Sequence, residues 1–193
     1  TSDKIIVICT KGLEANTMKS GHEIIKENVV HAKEVVILSG PTHAEELAIQ
    51  KYTTIVSTST SKYARELVQN VFSNEYLRVY TNEDILGVEI LGAAKNVLAI
   101  AAGVCDSHPK LGDNAKAAIL TRGLRELKII GDHENCMPET FYGLTGLGDL
   151  MVTAMSKHSR NRKFGELIGT GLDAKEAQEQ IGMVVEGVYS VKA

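Results

Sequence analysis

The chain has 193 residues, 44% of them hydrophobic and 23% charged, enough for one large globular domain or two small ones. A formal net charge of −3, with the basic residues scattered apart from "RNRK" (Arg160 to Lys163), excludes a surface built to neutralise nucleic-acid phosphates. Three widely spaced cysteines (Cys9, Cys105 and Cys136), with no CxxC and no histidine–cysteine cluster of zinc spacing, exclude a disulfide scaffold and predict a reduced, cytoplasmic protein without a bound metal.

"KIIVICT" is a short β-branched apolar run and reads as a buried parallel strand, central rather than at an edge. The chain enters it almost at once, so further sequence upstream is expected. "EANTMKSGHEIIKENV" predicts a helix with an apolar stripe, "EVVILSG" a second strand and "HAEELAIQ" a short helical piece. "TTIVSTST" reads as a third strand, "SKYARELVQNVFS" as a helix of i, i+3, i+4 type, and "LRVYTN" as a fourth strand. This alternation predicts βαβ units and a mostly parallel sheet. After Asn82 the pattern is helical: one long run over 84–105, another over 114–130 with Asp113 or Asn114 as N-cap, and "DAKEAQEQI" capped by Asp173. A boundary near residue 84 therefore divides an α/β part from an all-α part. No signal peptide is evident. No apolar run reaches the ~18 residues that cross a bilayer, because Lys95 and Asn96 interrupt the longest one.

Lys95 stands inside "GAAKNVLAIAAG", on a helix face shared with Val88, Leu91, Leu98, Ala99 and Ala102. A lysine there either snorkels to water or pairs with a distant acid, or it is desolvated, with a lowered pKa suited to acid–base work. Asn96 follows it and shares a face with Glu89, and the second polar side chain favours the functional reading. "SGPTHA" (Ser39 to Ala44) and "TKG" (Thr10 to Gly12) end predicted strands, at the sheet edge where α/β proteins bind ligands. In "SRNRKFG", Ser159 is a predicted N-cap followed by three cations. Their conflict with the helix dipole would be relieved by a bound phosphate. "GLTGLGDL" reads as a glycine-dense loop presenting Asp149. "GTGLDA" matches a dinucleotide fingerprint in letters, but a helical pattern precedes it, so a helix end followed by an Asp cap explains it. The six histidines have no ligand-like spacing and read as structural or surface residues.

Seven blocks, "TKGLE", "SGPTHAEELA", "GVEILGAAKNVLAIAAG", "LGDNAKAAILTRGL", "ETFYGLTGLGDL", "SRNRKFG" and "VVEGV", stand in the order found in bacterial-type NAD(P)-dependent glycerol-3-phosphate dehydrogenases, which the chain resembles from about Ile5 to Val188. The resemblance implies the remainder of a Rossmann domain over 1–83 and an incomplete helical catalytic domain over 84–193. It implies interconversion of sn-glycerol 3-phosphate and dihydroxyacetone phosphate, supplying glycerol phosphate for phospholipid synthesis, with NAD or NADP as cofactor. Lys95 then falls on the proton donor or acceptor, with Asn96 and Asp149 as its catalytic neighbours. Lys11, Gly40, Thr42, Lys95, Asp149, Ser159, Arg160 and Asn161 fall on substrate contacts. Lys11, Ala44, Arg160, Val184 and Glu186 fall on cofactor contacts. The implied partners are a small phosphorylated substrate and, as one assembly, a second copy of the chain; neither nucleic acid nor a membrane span is expected. His43 replaces a usual aromatic, and "DSHPKLGDN" carries an extra residue and a proline. The family's first strand, Gly-rich fingerprint and final helices have no counterpart, so these 193 residues alone are expected not to turn over substrate. A non-catalytic phosphate-binding remnant, or another dehydrogenase of the same two-domain build, remain the alternative readings.

Overall fold

The computed structural model describes residues 4–14 and 16–191. Four strands, β1 (Ile5–Ile8), β2 (Glu34–Ser39), β3 (Thr53–Thr58) and β4 (Leu77–Asn82), form one sheet in the order β1-β2-β3-β4. Both faces of β2 are buried, as its unbroken apolar run requires. Val36 and Leu38 pack with Ala64, Val68, Leu77 and Val79 on one side. Val35 and Ile37 pack with Ile8 and Val88 on the other. β1 lies at one edge among the described residues, with Ile5–Val7 half-buried, and not in the centre as its composition predicts.

The sheet is mostly parallel, as expected, with one antiparallel pairing. β1 and β2 run parallel, as do β3 and β4, but β2 and β3 are antiparallel, with Ile37 opposite Thr58. The helices between the strands explain it. A parallel crossover must carry the chain back along the strand. Helix α1 (Gly21–Asn28) and α3 (Lys62–Phe72) have eight and 11 residues, about 12 and 16 Å. Helix α2 (Ala44–Ala48) has five, about 7.5 Å, against a six-residue strand of about 20 Å.

Helix α1 starts later than its pattern suggests. Leu13 and Ser20 form an antiparallel bridge and Met18 has φ 62°, so the described residues just before Ser20 are not helical. Ser20 and Glu23 close a capping box there.

The helical part is built round α4 (Ile85–Ser107). Asp84 caps it, accepting from Gly87 N–H at 2.9 Å, and its other oxygen accepts from Met137 N–H at 2.9 Å. Against expectation, α4 is long and apolar enough to cross a membrane, with a mean hydropathy of 1.7 over 18 residues, half of them buried within the protein. Averaging hides the two polar residues that seemed to interrupt the run. Its apolarity serves packing: α5 (Asp113–His133), α7 (Asp149–Met155), α8 (Arg160–Gly169) and α10 (Glu186–Ser190) all lie against it. Gly112, not Asp113 or Asn114, is the N-cap of α5, and Asp113 becomes its first helical residue, favourably placed in the helix dipole. A short α6 (Pro138–Tyr142) and a π-helical turn (Leu144–Gly148) lead directly into α7, so Asp149 opens a helix and not a loop. Asp173 caps α9 (Ala174–Ile181), and "GTGLDA" is the expected end of α8 followed by that cap.

Helices α4 and α8 touch backbone to backbone. A Cβ on Gly103 would stand 1.9 Å from the Arg162 carbonyl oxygen, and one on Gly165 would stand 1.9 Å from that of Ile100. Neither obstacle is a side chain that can swing away. Gly165→Val should therefore destabilise the protein by about 2–3 kcal/mol, the scale of overpacking a tight interior. Gly112→Ala, with open space round the new methyl, should cost no more than about 1 kcal/mol, the scale of replacing a favoured N-cap residue by alanine. Urea unfolding of the two variants checks this, and equal midpoints would show that α4 and α8 separate freely.

Candidate active site

Lys95 projects from α4 and is only 4% exposed. It forms an ion pair with Asp149 Oδ1 and donates to Thr153 Oγ1 at 3.0 Å. Asp149, 1% exposed, gives its second oxygen to Lys11 Nζ at 2.7 Å. Lys11 also donates to the Gly40 carbonyl at 3.2 Å. Gly40 has φ 151°, and its Cα lies so near β3 that a Cβ would meet Ile55 Cα at 3.2 Å. A glycine is what lets that carbonyl turn toward Lys11.

Two ammonium groups thus share one buried carboxylate. Burial first, and then the Lys11 charge, push the Lys95 amine down to about 8, while Asp149 opposes the fall. Thr153 hands its own hydrogen to the Asp149 carbonyl at 2.6 Å, so its lone pair faces Lys95.

Next along α4, Asn96 donates to Glu186 Oε2 at 3.1 Å and accepts from Asn161 Nδ2 at 3.0 Å. Asn161 in turn accepts from the Gly187 N–H at 2.8 Å. These amides tie α4, α8 and α10 together, and internal bonds occupy most of their capacity. Glu89, predicted on the same face, leaves this group and accepts from the His22 N–H at 2.9 Å.

A cavity of about 410 Å³ opens beside Lys95, within the range of small-molecule sites. Lys11, Thr42, Ala44, Lys95, Asn96, Asp149, Ser159, Arg160, Asn161 and Glu186, all predicted from sequence, line it. Gly40 does not line it and acts only through its carbonyl bond to Lys11; Val184 is 60% exposed and outside it. Of the three cations in the first turn of α8, only Arg160 faces the cavity. Arg162 turns back to Asp106 at 2.7 Å, and Lys163 reaches Glu166 at 3.3 Å. Ser159 caps the turn, accepting from Arg162 N–H at 3.2 Å.

Sequence reasoning missed several wall residues. Thr153 was findable, one turn after Asp149 on a helix. Cys9 and Thr10 flank Lys11. His43 and His158 also line the cavity, with ring centroids 5.8 Å apart, so these two histidines are not merely structural or surface groups. No spacing signal connects residues 115 apart in sequence. Thr42 Oγ1 and His43 Nε2 are buried without a hydrogen-bond partner, which favours a polar occupant nearby.

A Rossmann-like α/β sheet joined to a helical unit, with a lysine–aspartate pair where they meet, defines a two-part α/β–α protein. The chain belongs to the NAD-dependent glycerol-3-phosphate dehydrogenase family. The model of that family's C-terminus matches residues 84–193, and that of its N-terminus residues 1–65. The chain is similar to the glycerol-3-phosphate dehydrogenase (NAD(P)+) of Clostridium botulinum, 50% identical over 99% of this chain and 57% of the relative. It is also similar to that of Clostridium acetobutylicum, 54% identical over 96% of this chain and 55% of the relative. The crystal structure of glycerol-3-phosphate dehydrogenase from Coxiella burnetii superposes with a TM-score of 0.90 at 39% identity, covering 96% of this chain and 56% of that one. The chain thus spans a little over half the length of these relatives.

The Lys95 titration carries a stability consequence. Its folded value, about 8, lies below the ordinary 10.5, so the unfolded chain binds more protons between the two. Stability from this group should rise with pH across that window, with the penalty fully present below about 8. Lys95→Met should remove the slope. Urea midpoints of both proteins between about pH 7.5 and 10.5 test this, and parallel curves would show an ordinary lysine.

Proposed function

We propose that the chain forms the substrate-facing part of an enzyme that interconverts sn-glycerol 3-phosphate and dihydroxyacetone phosphate with NAD or NADP. In this reading residues 1–83 belong to the dinucleotide-binding domain and 84–193 to the helical catalytic domain. The observation that carries it is Lys95, buried between Asp149 and Thr153 in the wall of a cavity that also presents Arg160. Family membership supports the substrate and the cofactor. The same proposal includes a cytoplasmic role in supplying glycerol phosphate for phospholipid synthesis, and a homodimer as the assembly.

Lys95 acts as the acid in reduction, giving its proton to the oxygen that forms at C2. In oxidation the neutral amine takes that proton from the C2 hydroxyl. A pKa near 8 leaves both forms accessible close to neutral pH. Asp149 keeps Lys95 and Lys11 together, and the two cations stabilise negative charge developing on the oxygen. Arg160, Ser159 and Asn161 hold the phosphate, with Arg160 as the charged partner. Asn96 works mainly by fixing Asn161 and Glu186. Lys11 and Thr42 hold the other end of the substrate, and Gly40 contributes by steadying Lys11 through its carbonyl. The unpartnered Thr42 hydroxyl and the Glu186 carboxylate suit the polar end of a nicotinamide nucleotide, which Lys11, Ala44, Arg160 and Glu186 would hold from the cavity wall, with Val184 reaching it only from outside that wall. When bound, the cofactor supplies or accepts the hydride.

In the complete enzyme, Lys95→Met should lower turnover on the order of 10²-fold or more. Lys95→Arg should not restore it, because a guanidinium does not release its proton. In the unaltered enzyme, reduction should fall and oxidation should rise as pH passes through about 8. Full activity in either variant would sink the assignment.

Arg160→Ala should raise KM for glycerol 3-phosphate on the order of tenfold to a hundredfold. Phosphate-free dihydroxyacetone should be affected far less. Equal losses for both substrates, in steady-state kinetics, would make Arg160 a structural residue.

A further inference from the structure

Glu89 is a partly buried carboxylate that the chemistry above does not use. It stands on α4 before Lys95, but its oxygen turns away from the cavity and accepts from the His22 N–H at 2.9 Å. That N–H belongs to the first turn of α1, whose donors have no partner within their own helix. Ser20 accepts from the Glu23 N–H at 3.2 Å, and Glu89 supplies the neighbouring acceptor from a different element. Burial raises the Glu89 carboxyl, the bonds from His22 and then Ser20 oppose the rise, and Glu23 adds a like charge. A carboxylate held in so unfavourable a place calls for a use.

Glu89, Gly92 and Lys95 follow one another in a single i+3 row of α4. A Cβ on Gly92 would stand 3.7 Å from Lys11 Cβ and Cγ, so the stem of Lys11 lies against the helix between Glu89 and Lys95. The chain from Lys11 to α1 closes on itself. Leu13 bridges Ser20, the Glu14 N–H donates to the Lys19 carbonyl at 2.9 Å, and the Met18 N–H donates to the Glu14 carbonyl at 2.9 Å. Ser20 is also the N-cap of α1, so whatever holds the first turn of α1 to α4 holds the bridged segment and Lys11 beside it. Gly21 is seated at the same place: a Cβ there would meet Ile8 Cγ2 at 3.4 Å and Glu89 Oε1 at 4.0 Å.

We propose that Glu89 is a positioning residue: by capping α1 from α4 it fixes where Lys11 lies against Gly92, and with it the Lys11 ammonium beside Asp149. The role belongs to the acceptor oxygen and not to the charge, so an amide serves as well as a carboxylate. Lys95 faces Asp149 and Thr153 from α7 and Lys11 from the end of β1. After burial, the Lys11 charge is what brings the Lys95 amine down to about 8. Loosening Lys11 should let that value climb. The inference rests on the geometry of the lysine pair, and only its kinetic readout rests on the acid–base role given to Lys95 above.

NMR titration of isotope-labelled lysine side chains in the complete enzyme, with Lys95→Met assigning the signal, reads the Lys95 midpoint without turnover. Glu89→Met keeps the length of the side chain and removes the acceptor. It should raise the midpoint on the order of one pH unit, the scale of withdrawing a neighbouring charge. Glu89→Gln should leave it at about 8. His22→Pro removes the donor instead, in a first helical turn that tolerates proline, and should match Glu89→Met. Lys11→Met should give at least as large a rise, and adding Glu89→Met to it should give no more. An unmoved midpoint in Glu89→Met and His22→Pro, even with a lowered urea midpoint, would make Glu89 a structural residue and overturn the proposal. A further rise in the double variant would overturn it too, since Glu89 would then act by another route than Lys11. If the Lys95 midpoint moves and the pH profile of turnover does not follow it, the acid–base role of Lys95 falls and the positioning role of Glu89 stands.

Discussion

The Asp149 carboxylate, almost wholly buried, is held between two lysines that reach it from different parts of the chain. Lys11 comes from the end of β1, Lys95 from the middle of α4, and Asp149 itself opens α7. Burying an unpaired charge costs several kcal/mol, and removing one partner of a buried pair leaves that cost in place. The three side chains must therefore arrive together. Burial, and after it the charge of Lys11, depress Lys95 against the pull of Asp149, while the same carboxylate holds Lys11 in place. One interaction thus joins the sheet to the helical unit and sets the chemistry available in the cleft between them.

The scaffold serves that convergence. Helix α4 is apolar because other helices surround it, and Gly103 on α4 and Gly165 on α8 let the two helices approach backbone to backbone. Contact at that distance fixes the first turn of α8, and with it Ser159, Arg160 and Asn161, beside Lys95. Two further links act on the same turn. Arg162 is drawn to Asp106 near the far end of α4, and the Asn96–Asn161–Gly187 hydrogen bonds bring α10 to the same place. The basic turn is consequently divided. Arg160 faces the cavity beside Lys95, whereas Arg162 and Lys163 turn to Asp106 and Glu166.

Much of this was legible in the residues. Alternation and β-branched runs gave the four strands, and Ser159 and Asp173 marked helix starts through their capping side chains. Lys95 stood out as a cation in an apolar helix, and ten of the residues expected at the site do share one cavity. The departures have identifiable causes. The direction of β3 depends on the length of α2 against the strand it would have to cross, which strand patterns do not encode. The glycines before Asp149 suggested a loop, although they form a π-helical turn packed against Phe141, where a Cβ on Gly146 would stand 2.1 Å from a backbone oxygen. His43 and His158 were passed over because histidine spacing is informative only when ligands lie close in sequence.

The sequence by itself determined the local elements and the kinds of chemistry on offer: capped helices, a buried sheet, a lysine without a nearby partner, and a basic helix start. These follow from hydrogen bonds and side-chain contacts between residues a few positions apart. The tertiary structure alone decided which acid meets Lys95, which cation of the basic turn enters the cavity, and that the Gly40 carbonyl steadies Lys11. Lys11 and Asp149 are 138 residues apart, and no local rule relates them. Their meeting depends on how closely α4, α7 and α8 pack beside the sheet edge, and that is settled only when the apolar faces of all these elements are buried together.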